Sequence, residues 1–181
     1  MAQQYPALDD RLQAFIEAQH IFFAGTAARE GRVNVSPKGM DSLRVLSPNR
    51  VAWLNVTGSG NETAGHLLDS NRMTLMFCSF DKQPMILRLY GSARTLHPRD
   101  REWSEYLALF PVLPGARQIF LLDIELVQTS CGFAVPYMEF AGDRDTLRNW
   151  AEKRGGEGLE SYWAEKNQLT IDGQETRILP T

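Results

Sequence analysis

Two short stretches of the sequence combine residue types that suit the binding of a phosphate. The first is Val35-Ser36-Pro37-Lys38, which ends a strand-like run, and the second is the turn Gly58-Ser59-Gly60-Asn61-Glu62-Thr63. A lysine at a strand end and the amides at the start of a helix both attract anions. Each motif alone also fits a solvated surface turn, because most lysines at strand ends simply face water.

The glycine-rich turn follows the apolar run VAWLNV and precedes the helix-like run NETAGHLLD. Ser59 and Glu62 have the spacing of a capping box, which predicts that a helix begins at Ser59. The first turn of that helix offers unpaired amides and the positive end of the helix dipole. Gly58 and Gly60 allow a ligand to approach the backbone closely. A capped turn that binds nothing remains the alternative.

Two familiar nucleotide-binding loops fit this turn poorly. Gly60 and Gly65 have the Walker A spacing, but His66-Leu67 follows them where that motif requires Lys-Ser or Lys-Thr. Gly58-x-Gly60-x-x-Thr63 resembles a dinucleotide fingerprint, and Asp81 follows at roughly the right distance for a ribose contact. The third glycine is missing, however, and hairpin-like segments surround the motif. A dinucleotide fold is therefore disfavoured.

The elements around the two motifs predict an α+β fold. Residues 8–19 place Leu8, Leu12, Phe15 and Ile16 on one face of a helix. Seven strand-like segments follow, interrupted by the helix after the glycine-rich turn and by another that starts at Pro98. Two short helices are predicted within the polar C-terminal region. Consecutive hairpins with few crossovers indicate a mostly antiparallel β-barrel with peripheral helices, formed by a single domain over residues 1–181.

Composition excludes several classes of function. The 181 residues carry a net charge of −3, with 43% hydrophobic and 23% charged residues, so we expect no nucleic-acid partner. No apolar run is long enough to span a membrane, and the N-terminus shows no signal peptide, so a cytoplasmic location is expected. The histidines are scattered, so no metal site is expected. Cys78 lies in an apolar strand and is predicted to be a core thiol.

The order and spacing of VNVSPKG, VAWLNVTGSGNETAGHL, NRMTLMFCSF and MILRLYGSARTL resemble the pyridoxamine 5′-phosphate oxidase-related FMN-binding split-barrel proteins. The resemblance covers about residues 10–130. The following segment, TSCGFAVPYMEFAGDRDTLRNWAEKRG, resembles the tail of an uncharacterised subgroup. The resemblance implies a six-stranded, mostly antiparallel split β-barrel, with a C-terminal helical extension at about 142–181. It also implies a homodimer with FMN in each of two clefts at the interface.

The resemblance also implies which residues contact the cofactor. Residues 35–38 would follow the flavin ring, largely through their backbone, and residues 57–63 would adjoin the ring and the phosphate. At the positions of residues 61–63 the oxidase itself has an Arg-Lys pair, which this chain lacks. The loss of those two cations should weaken phosphate binding unless other groups substitute, namely the helix N-terminus, Ser59, Asn61, Thr63, Lys38 or Arg88. The implied cofactor-binding residues are Val35, Ser36, Pro37, Lys38, Thr57, Gly58, Ser59, Asn61, Glu62, Thr63 and Arg88.

The substrate residues of the true oxidase have no clear counterparts. Tyr106 and Arg117 are candidates for its substrate-phosphate site, but the C-terminal Arg-x-His motif is absent from QLTIDGQETRILPT. We therefore expect a relative that does not make pyridoxal phosphate. Trp150 is interpreted as a helix-packing residue rather than a cover for the flavin. Cys131 is interpreted as a structural thiol, with contact to the flavin edge as the alternative.

The resemblance favours an FMN-dependent oxidoreductase that acts on a small molecule or on a reduced nicotinamide. No acid, base or nucleophile stands out in the sequence, as expected where a cofactor carries the chemistry. The alternatives are a non-catalytic flavin- or haem-binding module and a structural dimer that has lost its flavin site.

Overall fold

The structure is a computed structural model that describes residues 2–180. Those residues form eight strands and four helices. In chain order these are β1 (Gln3–Tyr5), α1 (Asp10–Glu17), β2 (Phe22–Thr26), β3 (Asn34–Lys38), β4 (Leu43–Ser47), β5 (Arg50–Val56), α2 (Glu62–Asp69), β6 (Arg72–Cys78), β7 (Ile86–Leu96), α3 (Trp103–Leu107), β8 (Ala116–Ser130) and α4 (Thr146–Lys166).

The strands form one antiparallel sheet in the order β3-β2-β6-β7-β8-β5-β4, in which β3 and β4 are the two ends. The sheet curls, because side chains from opposite ends of this order meet. The rings of Phe22 on β2 and Trp53 on β5 have centroids 6.0 Å apart. Lys38 Nζ on β3 lies 5.0 Å from the centroid of Trp53. The predicted α+β class and the antiparallel barrel are therefore confirmed.

The six strands implied by the resemblance are too few, and the length of β8 explains part of the difference. β8 has 15 residues, and β5 pairs only with its first half, from Ala116 to Asp123. The free edge of its second half pairs with β1, in the register Gln3 to Thr129. This three-residue strand carries no hydrophobic alternation that would have revealed it in the sequence.

The core has two parts because β5 and β8 bury both of their faces. Trp53 and Phe120 point into the larger cluster, together with Leu12 and Ile16 of α1. Their neighbours Leu54 and Leu121 point into a smaller cluster, against which α3 packs. β5 and β8 are thereby packed against apolar side chains on both faces.

The helices agree with the sequence predictions in part. α1 is capped by Asp9, whose side chain accepts a hydrogen bond of 2.7 Å from the Leu12 amide, and its apolar face is buried as predicted. α3 is shorter than predicted, because residues 97–100 form a turn closed by the Asp100 amide and the His97 carbonyl. α4 consists of two helical pieces joined at Gly155, as predicted for two short helices. No helix in residues 2–180 is both long and apolar enough to cross a bilayer.

Candidate functional site

A cavity of about 320 Å³ lies beside the glycine-rich turn. One wall is formed by alternate residues of β3 and the opposite wall by the end of β5. The floor is formed by residues 58–61 and by the start of α2. The residues that line it are Asn34, Ser36, Lys38, Trp53, Asn55, Val56, Gly58, Ser59, Gly60, Asn61, Glu62, Thr63 and Arg117. The structure thus brings together most residues of the two sequence motifs.

The start of α2 differs from the predicted capping box. The helix begins at Glu62, with Asn61 as its N-cap, and no side chain caps it in the described part of the chain. The Glu62 carboxylate instead accepts hydrogen bonds from the Ile171 amide, at 3.1 and 3.2 Å. The predicted start at Ser59 is therefore wrong by three residues, since a contact distant in sequence engages the glutamate. The unpaired amides of the first turn remain available to an anion.

Lys38 supplies a positive charge to the cavity from the end of β3. The side chain is half-buried, with Nζ over the ring of Trp53. Burial, with a smaller contribution from the nearby charge of Arg117, lowers the pKa of Lys38 to about 8. No carboxylate forms a salt bridge with either cation within residues 2–180. An anion between them would relieve their mutual repulsion.

Arg117, the second residue of β8, is the most deeply buried charge of the cavity. Its side chain is 3% exposed. Nη1 donates to Asn167 Oδ1 at 2.6 Å, and Nη2 donates to the Gly60 carbonyl at 2.7 Å. Nε has no hydrogen-bond partner among the described residues. Burial lowers the pKa of Arg117 to about 10, so the group remains cationic at neutral pH.

β3 presents two different faces and a free edge. Asn34, Ser36 and Lys38 line the cavity, whereas Val35 is 65% exposed and Pro37 faces a second cavity. β3 pairs only with β2, so its other backbone edge is unpaired in the described sheet. This arrangement is compatible with the prediction that residues 35–38 contact a flavin through their backbone.

Two further predicted contact residues, Thr57 and Arg88, are also absent from the lining of the first cavity. The Thr57 hydroxyl is buried and donates to the Gly115 carbonyl at 2.7 Å, while it accepts from Trp163 Nε1 at 2.9 Å. Arg88 lies on β7, where Nη1 is 3.2 Å from Ser130 Oγ. Within one chain, neither side chain is free to contact a ligand in this cavity. Their roles in cofactor binding stay predictions.

A second cavity of about 580 Å³ adjoins the first, with Lys38 lining both. The segment 138–144, which the sequence did not mark as functional, forms its roof. The rings of His20 and Phe140 stack there, with centroids 3.7 Å apart and planes 7° from parallel. Pro37, Gly39 and Phe80 complete its floor. A flat ligand that extended from the first cavity along β3 would reach this second one.

The remaining candidates are dispersed. Tyr106 packs against the smaller hydrophobic cluster and does not line the cavity that contains Arg117. Trp150 packs edge-on against Tyr162, with centroids 5.1 Å apart, as expected for a helix-packing residue. Cys78 is buried as predicted, and Cys131 is an exposed free thiol. Within residues 2–180, His, Cys, Asp and Glu side chains form no group of three that could bind a metal ion.

Comparison with known proteins decides the family. The family model described as pyridoxamine 5′-phosphate oxidase matches residues 8–131. The chain belongs to this family. A curated member, the pyridoxamine 5′-phosphate oxidase family protein ustO of Aspergillus flavus, is 38% identical over 187 residues, which cover 93% of this chain and 75% of that protein. The resemblance noted in the sequence is thereby confirmed.

Solved structures of the same type share the fold. A pyridoxamine 5′-phosphate oxidase-like protein from Lactobacillus delbrueckii superposes with a TM-score of 0.55 and 22% identity, covering 68% of this chain and 94% of that one. The FAD binding protein from Mycobacterium smegmatis superposes with a TM-score of 0.50 and 12% identity, covering 70% of this chain and 97% of that one. At these identities the similarity establishes the split-barrel architecture.

Proposed function

We propose that this family member binds FMN and acts as a flavin-dependent oxidoreductase on a small molecule or a reduced nicotinamide. One observation carries the proposal. The cavity beside the start of α2 brings together the amides of an uncapped helix, the half-buried Lys38 and the buried Arg117. This combination is suited to a phosphate group.

The buried charge of Arg117 supports a phosphate as the ligand. The low polarity around the buried guanidinium strengthens its attraction to an anion in the adjoining cavity. The phosphate would also neutralise two cations that have no acidic partner in the described residues. Arg117 and Lys38 therefore take the place of the Arg-Lys pair that the resemblance showed to be missing. Family membership and the name of the flavin-binding neighbour support the phosphate of a flavin as the ligand.

The second cavity supports a flat ring system attached to that phosphate. Its approach runs along the free edge of β3, and its walls include the stacked rings of His20 and Phe140. When bound, FMN would supply the exchange of electrons between donor and acceptor. The chain would bind and orient the cofactor and shield it from water. Lys38 Nζ, shared by both cavities, would hold a proton that is exchangeable near pH 8.

We further propose that a second copy of the chain completes the ring end of the site. Val35, Phe133 and Tyr137 are 65%, 82% and 79% exposed, which is unusual for large apolar side chains. Val35 lies on β3, and Phe133 and Tyr137 precede in sequence the segment that roofs the second cavity. A homodimer would cover these side chains and enclose the flavin between the two copies.

Spectroscopy of the purified protein tests this function. We expect flavin absorbance near about 450 nm, release of FMN on denaturation as identified by mass, and bleaching by a reduced nicotinamide without oxygen. Bound FMN that no reductant bleaches would instead support the non-catalytic module, and a strong Soret band would support haem. A colourless protein that does not bind added FMN would overturn the proposal.

A further inference from the structure

We propose that Asn167 is a positioning residue that holds Arg117 in place for the flavin phosphate, so that the C-terminal segment 167–176 completes the phosphate pocket. The inference rests on the proposed function and deepens it. It assigns a role to a segment that lies beyond the residues matched by the family model. No motif in the sequence marks Asn167.

The side chain of Asn167 joins both parts of the pocket. It is 0% exposed. Its Oδ1 accepts from Arg117 Nη1 at 2.6 Å, and its Nδ2 lies 3.1 Å from the Gly58 carbonyl and 3.4 Å from the Ser59 carbonyl. One amide therefore fixes the guanidinium and the glycine-rich turn relative to each other. Either group alone would have a wider choice of conformations.

The backbone of Asn167 is equally constrained. Its amide donates to the Trp163 carbonyl at 3.0 Å and ends α4. Its carbonyl accepts from Asn61 Nδ2 at 3.4 Å and from Thr176 Oγ1 at 2.5 Å. The residue is thus tied to α4, to the N-cap of α2 and to the end of the C-terminal turn. These bonds explain why the amide keeps a single orientation.

The rest of the segment packs against α2. The Ile171 amide donates to the Glu62 carboxylate, and Gly65 lies close to Thr170 and Glu175 of the C-terminal segment. A Cβ at Gly65 would overlap the Thr170 methyl and lie 3.3 Å from the Glu175 carbonyl oxygen. The chain therefore needs a glycine in the second turn of α2 to admit the C-terminal segment. The segment and the phosphate pocket are one packed unit.

This packing has an energetic consequence for binding. Arg117 already has two nitrogens bonded, so it loses little conformational freedom when a phosphate binds beside it. Without the Asn167 side chain, the guanidinium would keep its bond to the Gly60 carbonyl but would have more freedom to change its orientation. Coupling of this kind is reciprocal, so a bound phosphate must also stabilise the segment.

The first test compares Asn167→Ala with Gln168→Ala, a control at the exposed neighbouring residue. Affinities for FMN and for riboflavin, which lacks the phosphate, are measured on the flavin-free protein by fluorescence titration. We expect Asn167→Ala to weaken FMN binding by about tenfold or more and to change riboflavin binding by less than about twofold. Equal losses for both ligands would show a merely structural role, and unchanged FMN affinity would also overturn the inference.

The second test uses the unaltered protein and does not depend on how the variant folds. Hydrogen exchange of amides 168–176 is followed with saturating FMN and with saturating riboflavin. We expect FMN to slow exchange in this segment and riboflavin to leave it unchanged. Equal protection by both ligands, or none, would overturn the inference. If the unaltered protein binds FMN no more tightly than riboflavin, the proposed function is wrong. If Asn167→Ala retains the tighter binding of FMN, only the positioning role is wrong.

Discussion

The two ends of the proposed flavin site differ in how complete they are within one chain. The phosphate end is polar and buried, and its parts come from β3, β8, α2 and the C-terminal segment. The ring end is apolar and open, with large side chains such as Phe133 and Tyr137 exposed to solvent. Within one chain the phosphate end of the proposed site is therefore enclosed, whereas the ring end is open to solvent.

Because the two ends would bind different parts of FMN, substitutions at each end should change the affinities for FMN and riboflavin differently. Changes at the phosphate end should weaken FMN but spare riboflavin. Changes at the ring end should weaken both ligands equally, because both carry the ring.

The largest effect is expected for Arg117→Gln, which removes the buried cation of the phosphate end. Loss of charge-assisted hydrogen bonds should lower FMN affinity by about 10- to 100-fold, measured by calorimetric titration, with riboflavin affinity unchanged. Arg50→Gln on β5, whose exposed side chain pairs with Asp123, is the matched control. Parallel losses of FMN and riboflavin affinity in Arg117→Gln would break the distinction between the two ends.

The next effect is expected at the ring end, for the double variant Phe133→Ser and Tyr137→Ser. Removing exposed apolar area from the proposed interface should shift the protein towards the monomer in sedimentation experiments. Both FMN and riboflavin should then bind about tenfold more weakly. Val112→Ser, at an apolar residue that is 92% exposed before β8, should change neither property. A double variant that remains dimeric with full affinity would refute the shared interface.

A smaller effect is expected from pH. The pKa of Lys38 is lowered to about 8, so the side chain is charged below that pH and neutral above it. Affinity for FMN should therefore fall several-fold as the pH rises through 8, whereas riboflavin affinity should stay flat. The fall should disappear in Lys38→Arg, which keeps its charge over this range. A pH profile that is the same for both ligands would contradict the placement of Lys38 at the phosphate.

The smallest effect is expected for Thr63 in the first turn of α2. Thr63→Val keeps the shape of the buried side chain but removes the hydroxyl, and FMN affinity should fall by about two- to threefold. Combined with Lys38→Ala, the loss should be larger, while the thermal unfolding midpoint changes little. FMN affinity that is unchanged in the combined variant would refute the assignment of the phosphate to this cavity.

The sequence was sufficient for the fold, and most residues of its two motifs line one cavity. Alternation of apolar residues revealed seven of the eight strands, and the glycine-rich turn marked the start of α2 to within three residues. Both signals are local, which is why sequence reasoning found them.

Contacts between residues that are far apart in the sequence could not be predicted from it. Arg117 adjoins the glycine-rich turn only because β5 and β8 pair in the register Val56 to Ala116. The Glu62 carboxylate does not cap α2 as predicted but accepts a hydrogen bond from the Ile171 amide, 109 residues away. Asn167 stands in a polar segment with no periodicity or motif to distinguish it. Its role emerges only when the C-terminal turn is folded against α2.

The most direct measurement of the central claim is titration of the flavin-free protein with FMN and with riboflavin in the same buffer. The two ligands share the ring and differ in the phosphate, so the ratio of their affinities reports the pocket formed by Lys38, Arg117 and α2. We expect FMN to bind at least about tenfold more tightly. Equal affinities, or no binding of FMN, would contradict the account.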